Sequence, residues 1–324
     1  LNLELFLENA HHSFMEVNPV LIKEYKKSTT LRRTKTDSVD CESIARWLIT
    51  VEYKPHSKGF YHAYSLKSLT RLRDRLIRQR SFYLVKITNV LDHTFPEFKP
   101  FFNERLSKTA LYLLENYGSA EKMARMNSAS YDKLRCISRG KFSIQQFLRL
   151  KELAANTVGV NNSIFDLELN TLLTLYKSLS DEINTLETEI IKLIEEVHPH
   201  YMSIPGIGPI SSAVIYAEYG DISNFSNPGQ MLAFAGIEPG INDSGTESHG
   251  GRMVKHGSSQ LRYVLLNACL PLIRFDLTFA TYYEKKRAEG KKHRVAITHV
   301  AKKLIRVIYA LERQDVDFNV QKLR

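Results

Sequence analysis

The chain has 324 residues and 43% hydrophobic content, enough for two or more packed units and too apolar for a disordered polypeptide. Its 45 Lys and Arg against 35 Asp and Glu leave a formal net charge of +10, which points to a polyanionic partner without separating nucleic acid from an anionic membrane surface. No apolar run is long enough to cross a bilayer, and Leu1 to Leu5 carry neither a basic flank nor a cleavage signal, so a soluble, intracellular protein with no membrane partner is expected.

Residues 1 to 50 read as helix, strand, helix, loop, helix, a fragment of an α/β unit. Leu3, Leu5, Phe6 and Leu7 form an apolar stripe, Ser13 to Val17 has the look of a short strand, and Asn18-Pro19 opens the next helix at its first turn. The chain begins on Leu1 rather than Met, already inside a periodic helix, so upstream structure is expected to be missing. A basic loop from Ser28 to Lys35, with Arg32, Arg33 and Lys35, leads into a helix starting near Thr36-Asp37 and carrying Ile44, Ala45, Trp47 and Leu48. Asp37 and Asp40 lie three apart, so their carboxylates can share a face and reach one cation of the Mg²⁺ type. Equally, Asp37 as N-cap and Asp40 in the first turn would stabilise the positive helix end with no metal. Two carboxylates make a thin two-metal site, since such sites gather several around ions about 3.5–4 Å apart. Cys41, Cys136 and Cys269 are scattered and form no CxxC pair, so buried reduced thiols are expected rather than a zinc knuckle or a disulfide framework.

From Ser65 to Phe95 a long helix is indicated by Leu66, Leu69, Leu72, Leu76, Tyr83, Ile87 and Val90, and Pro96 stops it. Its outer face is basic, with Lys67, Arg71, Arg73, Arg75, Arg78, Arg80 and Lys86. Residues 97 to about 163 read as shorter amphipathic pieces broken by Pro100, Gly118, Gly140 and Gly159. In the next long helix Leu172, Tyr176, Leu179, Ile183, Leu186, Ile190, Leu193 and Val197 alternate steps of four and three, a heptad seam of the coiled-coil kind. That helix is acidic outside its seam, so antiparallel pairing with the basic helix and an intermolecular pairing both fit.

Beyond His198-Pro199-His200 a compact, mainly helical unit runs from Tyr201 to about Arg313. Ile204-Pro205-Gly206-Ile207-Gly208-Pro209, followed by the helical stretch Ile210 to Tyr219, has what a helix-hairpin-helix needs. Gly206 and Gly208 would let backbone approach a phosphate, and the next helix presents free N–H groups; the alternative is a plain turn. Ser244 sits in Asn242-Asp243-Ser244-Gly245, and a Ser-Gly alone is usually a turn. Here Gly250, Gly251, Arg252, Lys255, His256, Gly257 and Arg262 follow, then an apolar helix from Tyr263 to Ile273, which reads as a flexible cationic loop on a rigid base. A serine there can attack a phosphodiester if the developing charge is stabilised, with Arg252, Lys255 and His256 the nearest candidates and His249 or His256 a base by proximity only. The run Lys285-Lys286-Arg287 with Lys291 to Arg294, preceded by Tyr282 and Tyr283, suits a nucleic-acid backbone or is a solvated basic loop.

Taken in order, Asn18-Pro19, Arg32 to Asp40, Ile204 to Gly208, Ala235-Gly236-Ile237-Glu238-Pro239, Ser244-Gly245 and Gly251 to Lys255 resemble the IS110 family of insertion-sequence transposases, related to the pilin-gene invertase Piv. The resemblance covers nearly the whole chain. It implies a RuvC-like domain of RNase H fold, a coiled-coil segment, and a C-terminal transposase domain carrying the serine. It also implies four acidic residues (Asp, Glu, Asp, Asp) binding Mg²⁺, a serine–DNA covalent intermediate, a bridge RNA that pairs with target and donor DNA, and a homo-oligomer, dimer or tetramer, at the nucleoid of a prokaryotic cytoplasm. Asp37 and Asp40 match the last two acids and Ser244 the nucleophile; the first Asp and the Glu would precede Leu1, and Glu4 is no substitute.

The expected fold is therefore mainly α with an N-terminal α/β fragment: a partial RuvC-like domain over 1–58, a helical and coiled-coil region over 59–199, and a helical transposase domain with a helix-hairpin-helix over 200–324. The expected function is serine-linked DNA strand exchange. A metal-only nuclease of the Holliday-junction resolvase type and a non-catalytic nucleic-acid-binding remnant are the rivals.

Overall fold

The computed structural model describes residues 2–15, 17, 19–29, 36–53, 60–103, 106–244 and 247–319, with backbone alone at 5, 60–62, 239–244 and 247–252. The chain divides into two compact units, Leu1–His62 and Ala63–Arg324.

In the first unit the described elements are α1 (Asn2–Asn9), α2 (Pro19–Thr29) and α3 (Asp37–Thr50). Pro19 opens α2 because a first-turn residue has no intrahelical N–H bond to lose. The expected strand at Ser13 to Val17 does not form: Ser13, Phe14, Met15 and Val17 are irregular. An extended segment becomes a strand only when a neighbour takes its N–H and C=O groups, and no described residue of this unit is in a strand. The α/β fragment is thus helical among the described residues. Neither α2 nor α3 buries a residue, and Phe6, Leu21, Ile44, Leu48 and Ile49 stay exposed.

The second unit begins within α4 (Phe60–Thr94), which starts earlier than Ser65, and continues through α5 (Phe98–Phe101), α6 (Lys108–Tyr117), α7 (Ala120–Ala124), α8 (Ser128–Ile137) and α9 (Ile144–Ala155) to α10 (Ser163–Val197). The short helices owe their starts to side-chain caps: Ser107, Ser119, Asn127 and Ser143 each accept from a backbone N–H of the first turn, and Ser143 with Gln146 forms a full capping box. Pro100, expected as a break, lies inside the one-turn α5. These helices close on Ile87, Leu91, Phe95, Phe98, Leu113 and Leu150.

Helices α4 and α10 run antiparallel. Near one end Arg73 Nε donates to Glu187 Oε1 at 2.7 Å, and near the other His93 stacks on Phe165 with centroids 5.9 Å apart. Of the basic and acidic faces expected to attract one another, Arg73 and Glu187 meet within the chain, while Asp181, Glu182, Glu189, Glu195 and Glu196 are exposed. The buried line on α10 is Leu169, Leu173, Ile183, Ile190 and Ile194; Val197, at the end of the anticipated seam, is exposed.

After a 3-10 turn at His200–Ser203 come α11 (Pro209–Tyr219), α12 (Pro228–Ala235), a hairpin of β1 (Pro239–Ser244) and β2 (Glu247–Met253), then α13 (Ser259–Phe275), α14 (Leu277–Ala288) and α15 (His293–Gln314). Small residues make α11 central: Ala213 and Ala217, four apart, let it lie close to Ile190 and Ile194 of α10 and Leu66 of α4. Its other side joins Leu261, Leu265, Leu272, Phe279, Leu304 and Ile308 of α13, α14 and α15 in the main C-terminal core. No single described helix is long and apolar enough to cross a membrane. Of the cysteines only Cys269 is buried; Cys41 and Cys136 are exposed, against expectation, Cys41 because α3 buries no residue and Cys136 because it lies off the face of α8 that buries Ser130 and Leu134.

Candidate functional site

Ser244 ends β1, and the segment expected to be a loop is instead an antiparallel hairpin. The register sets Ser244 opposite Glu247, Asp243 opposite Ser248, Asn242 opposite His249 and Ile241 opposite Gly250. Ser244 and Glu247 thus bracket the two-residue connection 245–246, whose own structure lies outside the described residues. The strands lack the β-branched alternation that signals a sheet, which is why the sequence reads as a loop. The pairing slips between Pro239 and Ile241, where β2 carries an extra residue beside Gly250 and Gly251, a bulge that glycine accommodates readily. Glu247, not singled out in the sequence, becomes the cross-strand partner of the serine; only the length of the connection could have revealed it.

The feet of the hairpin are clamped. Val254 N donates to Glu238 O at 2.8 Å and Ser258 N to Phe234 O at 2.9 Å. Gly236 has φ of +65°, and a Cβ there would fall 2.4 Å from Arg262 Nη1; a Cβ on Gly257 would fall 2.1 Å from Phe234 O. Both positions need glycine, one for its backbone angle and both for close approach. Arg262, expected to touch nucleic acid, directs Nη1 at the carbonyls of Ala235 and Gly236, 3.4 Å from each, and so braces this joint. Lys255 and His256 are exposed just beyond β2. Arg252 is placed in β2 by its backbone.

At the Pro205 to Pro209 turn the two glycines differ. Gly206 has φ of +95°, and its Cα faces Pro271, Ala268 and Leu272 of α13, where a Cβ would meet Pro271 Cγ at 2.9 Å. It serves packing between the turn and α13. Gly208 has nothing within 4 Å of such a Cβ and is the N-cap of α11, followed by Pro209 at the first helical position. The open approach to the α11 N-terminus therefore lies at Gly208.

Asp37 and Asp40 occupy the first turn of α3, but the N-cap is Thr36, whose hydroxyl accepts from Val39 N at 3.4 Å. The alternative with Asp37 as cap is corrected by one residue: Thr36 has the extended backbone that a cap requires. Asp40 Oδ1 takes Lys26 Nζ at 2.6 Å. Among the described residues no group of three or more His, Cys, Asp and Glu could hold a metal ion. Arg32, Arg33 and Lys35 lie outside the described residues. The two aspartates belong to the first compact unit and Ser244 to the second.

The C-terminal basic cluster is interleaved with aromatic rings. Lys286 lies over Tyr282, Lys303 over both Phe279 and Tyr282, and Tyr283 Oη meets His293 Nδ1 at 2.7 Å. Burial first, and the cations Lys302, Lys286 and Lys291 next, hold the His299 imidazole below its usual range.

Two family models match this chain: that of the transposase IS116/IS110/IS902 family over residues 199–284 and the DEDD transposase model of the IS110 kind over residues 1–96. An uncharacterized 43.6 kDa protein of insertion element IS110 from Streptomyces coelicolor is 28% identical over 237 residues, 70% of this chain and 58% of the relative. An uncharacterized 42 kDa protein of insertion element IS900 from Mycobacterium paratuberculosis is 28% identical over 298 residues, 86% of this chain and 71% of the relative. A pilin gene-inverting protein of Moraxella bovis is 27% identical over 149 residues, 43% of this chain and 46% of the relative. The matched stretch thus spans a little over half the length of the first of these relatives.

Proposed function

Because this chain belongs to the IS116/IS110/IS902 family of transposases, we propose that it acts as a DNA recombinase whose strand exchange passes through a link between Ser244 and a DNA phosphate. The observation that carries this reading is the position of Ser244 at the tip of a hairpin with clamped feet and cations at its base. A hydroxyl at such a tip can enter a DNA groove while its support stays rigid. In the step, Ser244 Oγ gives up its proton and bonds to phosphorus, the bond from phosphorus to one deoxyribose oxygen breaks, and that oxygen takes a proton. A hydroxyl from another strand then reverses the exchange and frees the serine. Arg252 and Lys255 stand nearest in sequence to offset charge on the phosphoryl oxygens.

In this reading residues 1–58 are part of a RuvC-like domain, 59–199 a helical and coiled-coil region, and 200–324 the transposase domain with its helix-hairpin-helix at Gly206 and Gly208. Family resemblance supports DNA, a bridge RNA and further copies of the chain as partners. It also implies Mg²⁺, yet Asp37 and Asp40, one of them in an ion pair with Lys26, are too few oxygen donors to hold that cation themselves. No step is therefore derived through a metal. The piv-like relationship to a pilin gene-inverting protein favours recombination over simple cutting.

The test is a denaturation-resistant protein–DNA adduct. The unaltered chain should form one, and Ser244→Ala should lose both adduct and strand transfer while still binding DNA. Recombination by Ser244→Ala would discard the assignment, and cleavage without any adduct would favour a metal-only nuclease.

A further inference from the structure

A second cationic feature lies away from the hairpin tip. Arg71, Arg75 and Arg78 follow one another at steps of four and three, so they share one face of α4. With Asp74 and the start of α13, Ser258 to Gln260, they line an open cleft of about 600 Å³. Every lining residue is polar or charged, and none is aromatic or aliphatic.

The walls are fixed by a buried carboxylate. Glu218 of α11, with a side chain only 2% exposed, accepts from Arg71 Nε at 3.0 Å and Nη2 at 3.2 Å, and from Ser258 Oγ at 2.9 Å. Lys67 Nζ stands 4.0 Å from the same carboxylate. The Glu218 charge is thus used inside the wall. Asp74 is engaged as well, at 2.8 Å from Arg78 Nη2 and 3.4 Å from Gln260 Nε2. Lys67 and Arg71 thus share Glu218 and Arg78 takes Asp74, whereas Arg75 Nε donates to the Arg71 carbonyl at 3.4 Å, and the Arg75 and Arg78 side chains are exposed at the rim. Like charges one helical turn apart repel, and a polyanion relieves that repulsion. Guanidinium groups also match phosphate oxygens in pairs.

We infer that this cleft grips the phosphodiester backbone of a nucleic acid, independently of sequence and separately from the hairpin tip. The inference rests on the nucleic-acid substrate of the proposed function. The cleft is tied to the hairpin through Ser258, whose N–H holds Phe234 O at the hairpin foot while its hydroxyl holds Glu218, so strand grip and serine position share one support.

The experiment measures binding of the full chain to a labelled DNA duplex and to a labelled RNA hairpin by fluorescence anisotropy over a salt series. Removing two phosphate contacts with the double variant Arg75→Ala/Arg78→Ala should make the plot of log affinity against log salt shallower by about 2 for DNA, for RNA or for both. The probe that responds identifies the strand held in the cleft. Asp74→Asn, which removes a competing carboxylate, should tighten binding of that same probe, and it carries the test if the double variant melts below the unaltered chain. Unchanged slopes with both probes, no binding of either by the unaltered chain, or weaker binding by Asp74→Asn would overturn the inference. Ser244→Ala should keep the original slope; a missing adduct with normal slopes counts against the serine route alone.

Discussion

Glu218 and Arg71, separated by 147 residues, are joined by two hydrogen bonds that fasten α11 to α4. Ser258 completes the junction, because its hydroxyl donates to Glu218 while accepting Leu261 N at 3.2 Å as the N-cap of α13. One carboxylate thereby ties together three helices, and the Gln260 Nε2 bond to Asp74 Oδ2 at 3.4 Å adds a second polar link between α13 and α4.

Replacing Glu218 by Ala should cost about 1–3 kcal/mol of unfolding free energy. The value is below that of a fully buried pair because Arg71 is half exposed and can be rehydrated once its partner is gone. Glu218→Gln keeps an acceptor for Ser258 and should cost less. Urea denaturation of both variants checks the order; equal midpoints for Ala and the unaltered chain would remove the structural role.

Gly257→Ala should loosen the hairpin without unfolding the core. A Cβ at 2.1 Å from Phe234 O cannot be absorbed by a flexible side chain, since the obstacle is backbone. The Ser258 N–H bond to Phe234 O should open first and the Val254 bond to Glu238 O next. Hydrogen exchange should therefore quicken at Val254 and Ser258 while amides of α13 and α15 keep their protection, and strand exchange should fall with them.

The helices were legible because each has a local signature. Pro19 sits at a first helical position, Pro96 follows the end of α4, and the apolar rows of α4 and α10 repeat at helical spacing. The hairpin was not, because Pro239 to Met253 is rich in glycine and polar residues and is held as a ladder by clamps at Gly236 and Gly257 that only the tertiary fold supplies. The supposed strand at Ser13 to Val17 failed for the converse reason: its pattern was right and no partner was present among the described residues. Within the candidate site Ser244 was identifiable from flanking motifs. Glu218 was invisible, since an acidic residue near the end of an apolar helix gives no sign that Arg71 will reach it.

The thiols should divide two against one. Cys41 and Cys136 are exposed and should react with a thiol reagent in the folded protein, whereas Cys269 is enclosed in the C-terminal core and burial pushes its thiol up to about 12. A thiol titration should count two groups in buffer and three in denaturant. Three reactive groups in buffer would contradict the placement of Cys269 in the core.

Stability near neutral pH should respond to His200. Its Nδ1 lies 2.9 Å from Asp317 Oδ1 and its Nε2 2.8 Å from Asp315 Oδ1, so the imidazolium can donate to both carboxylates and tie the end of α15 to the turn before α11. Hydrogen bonds to Asp317 and then Asp315 raise its pKa, opposed by modest desolvation. A raised folded value means that the contribution is complete below the unfolded pKa of about 6.5 and disappears as pH climbs through the folded one. Glu312, which accepts from Tyr201 N at 3.2 Å, is also raised, by burial, but its window opens at the ordinary carboxylate value of about 4.3, below that of the histidine. His200→Gln should accordingly flatten the fall in melting temperature above about pH 6.5 and leave the lower window in place. The Phe318 N–H bond to Ser203 Oγ, 2.8 Å long, should lose hydrogen-exchange protection over the same upper interval in the unaltered chain. If protection there were independent of pH, the clasp would be held by Ser203 rather than by the histidine.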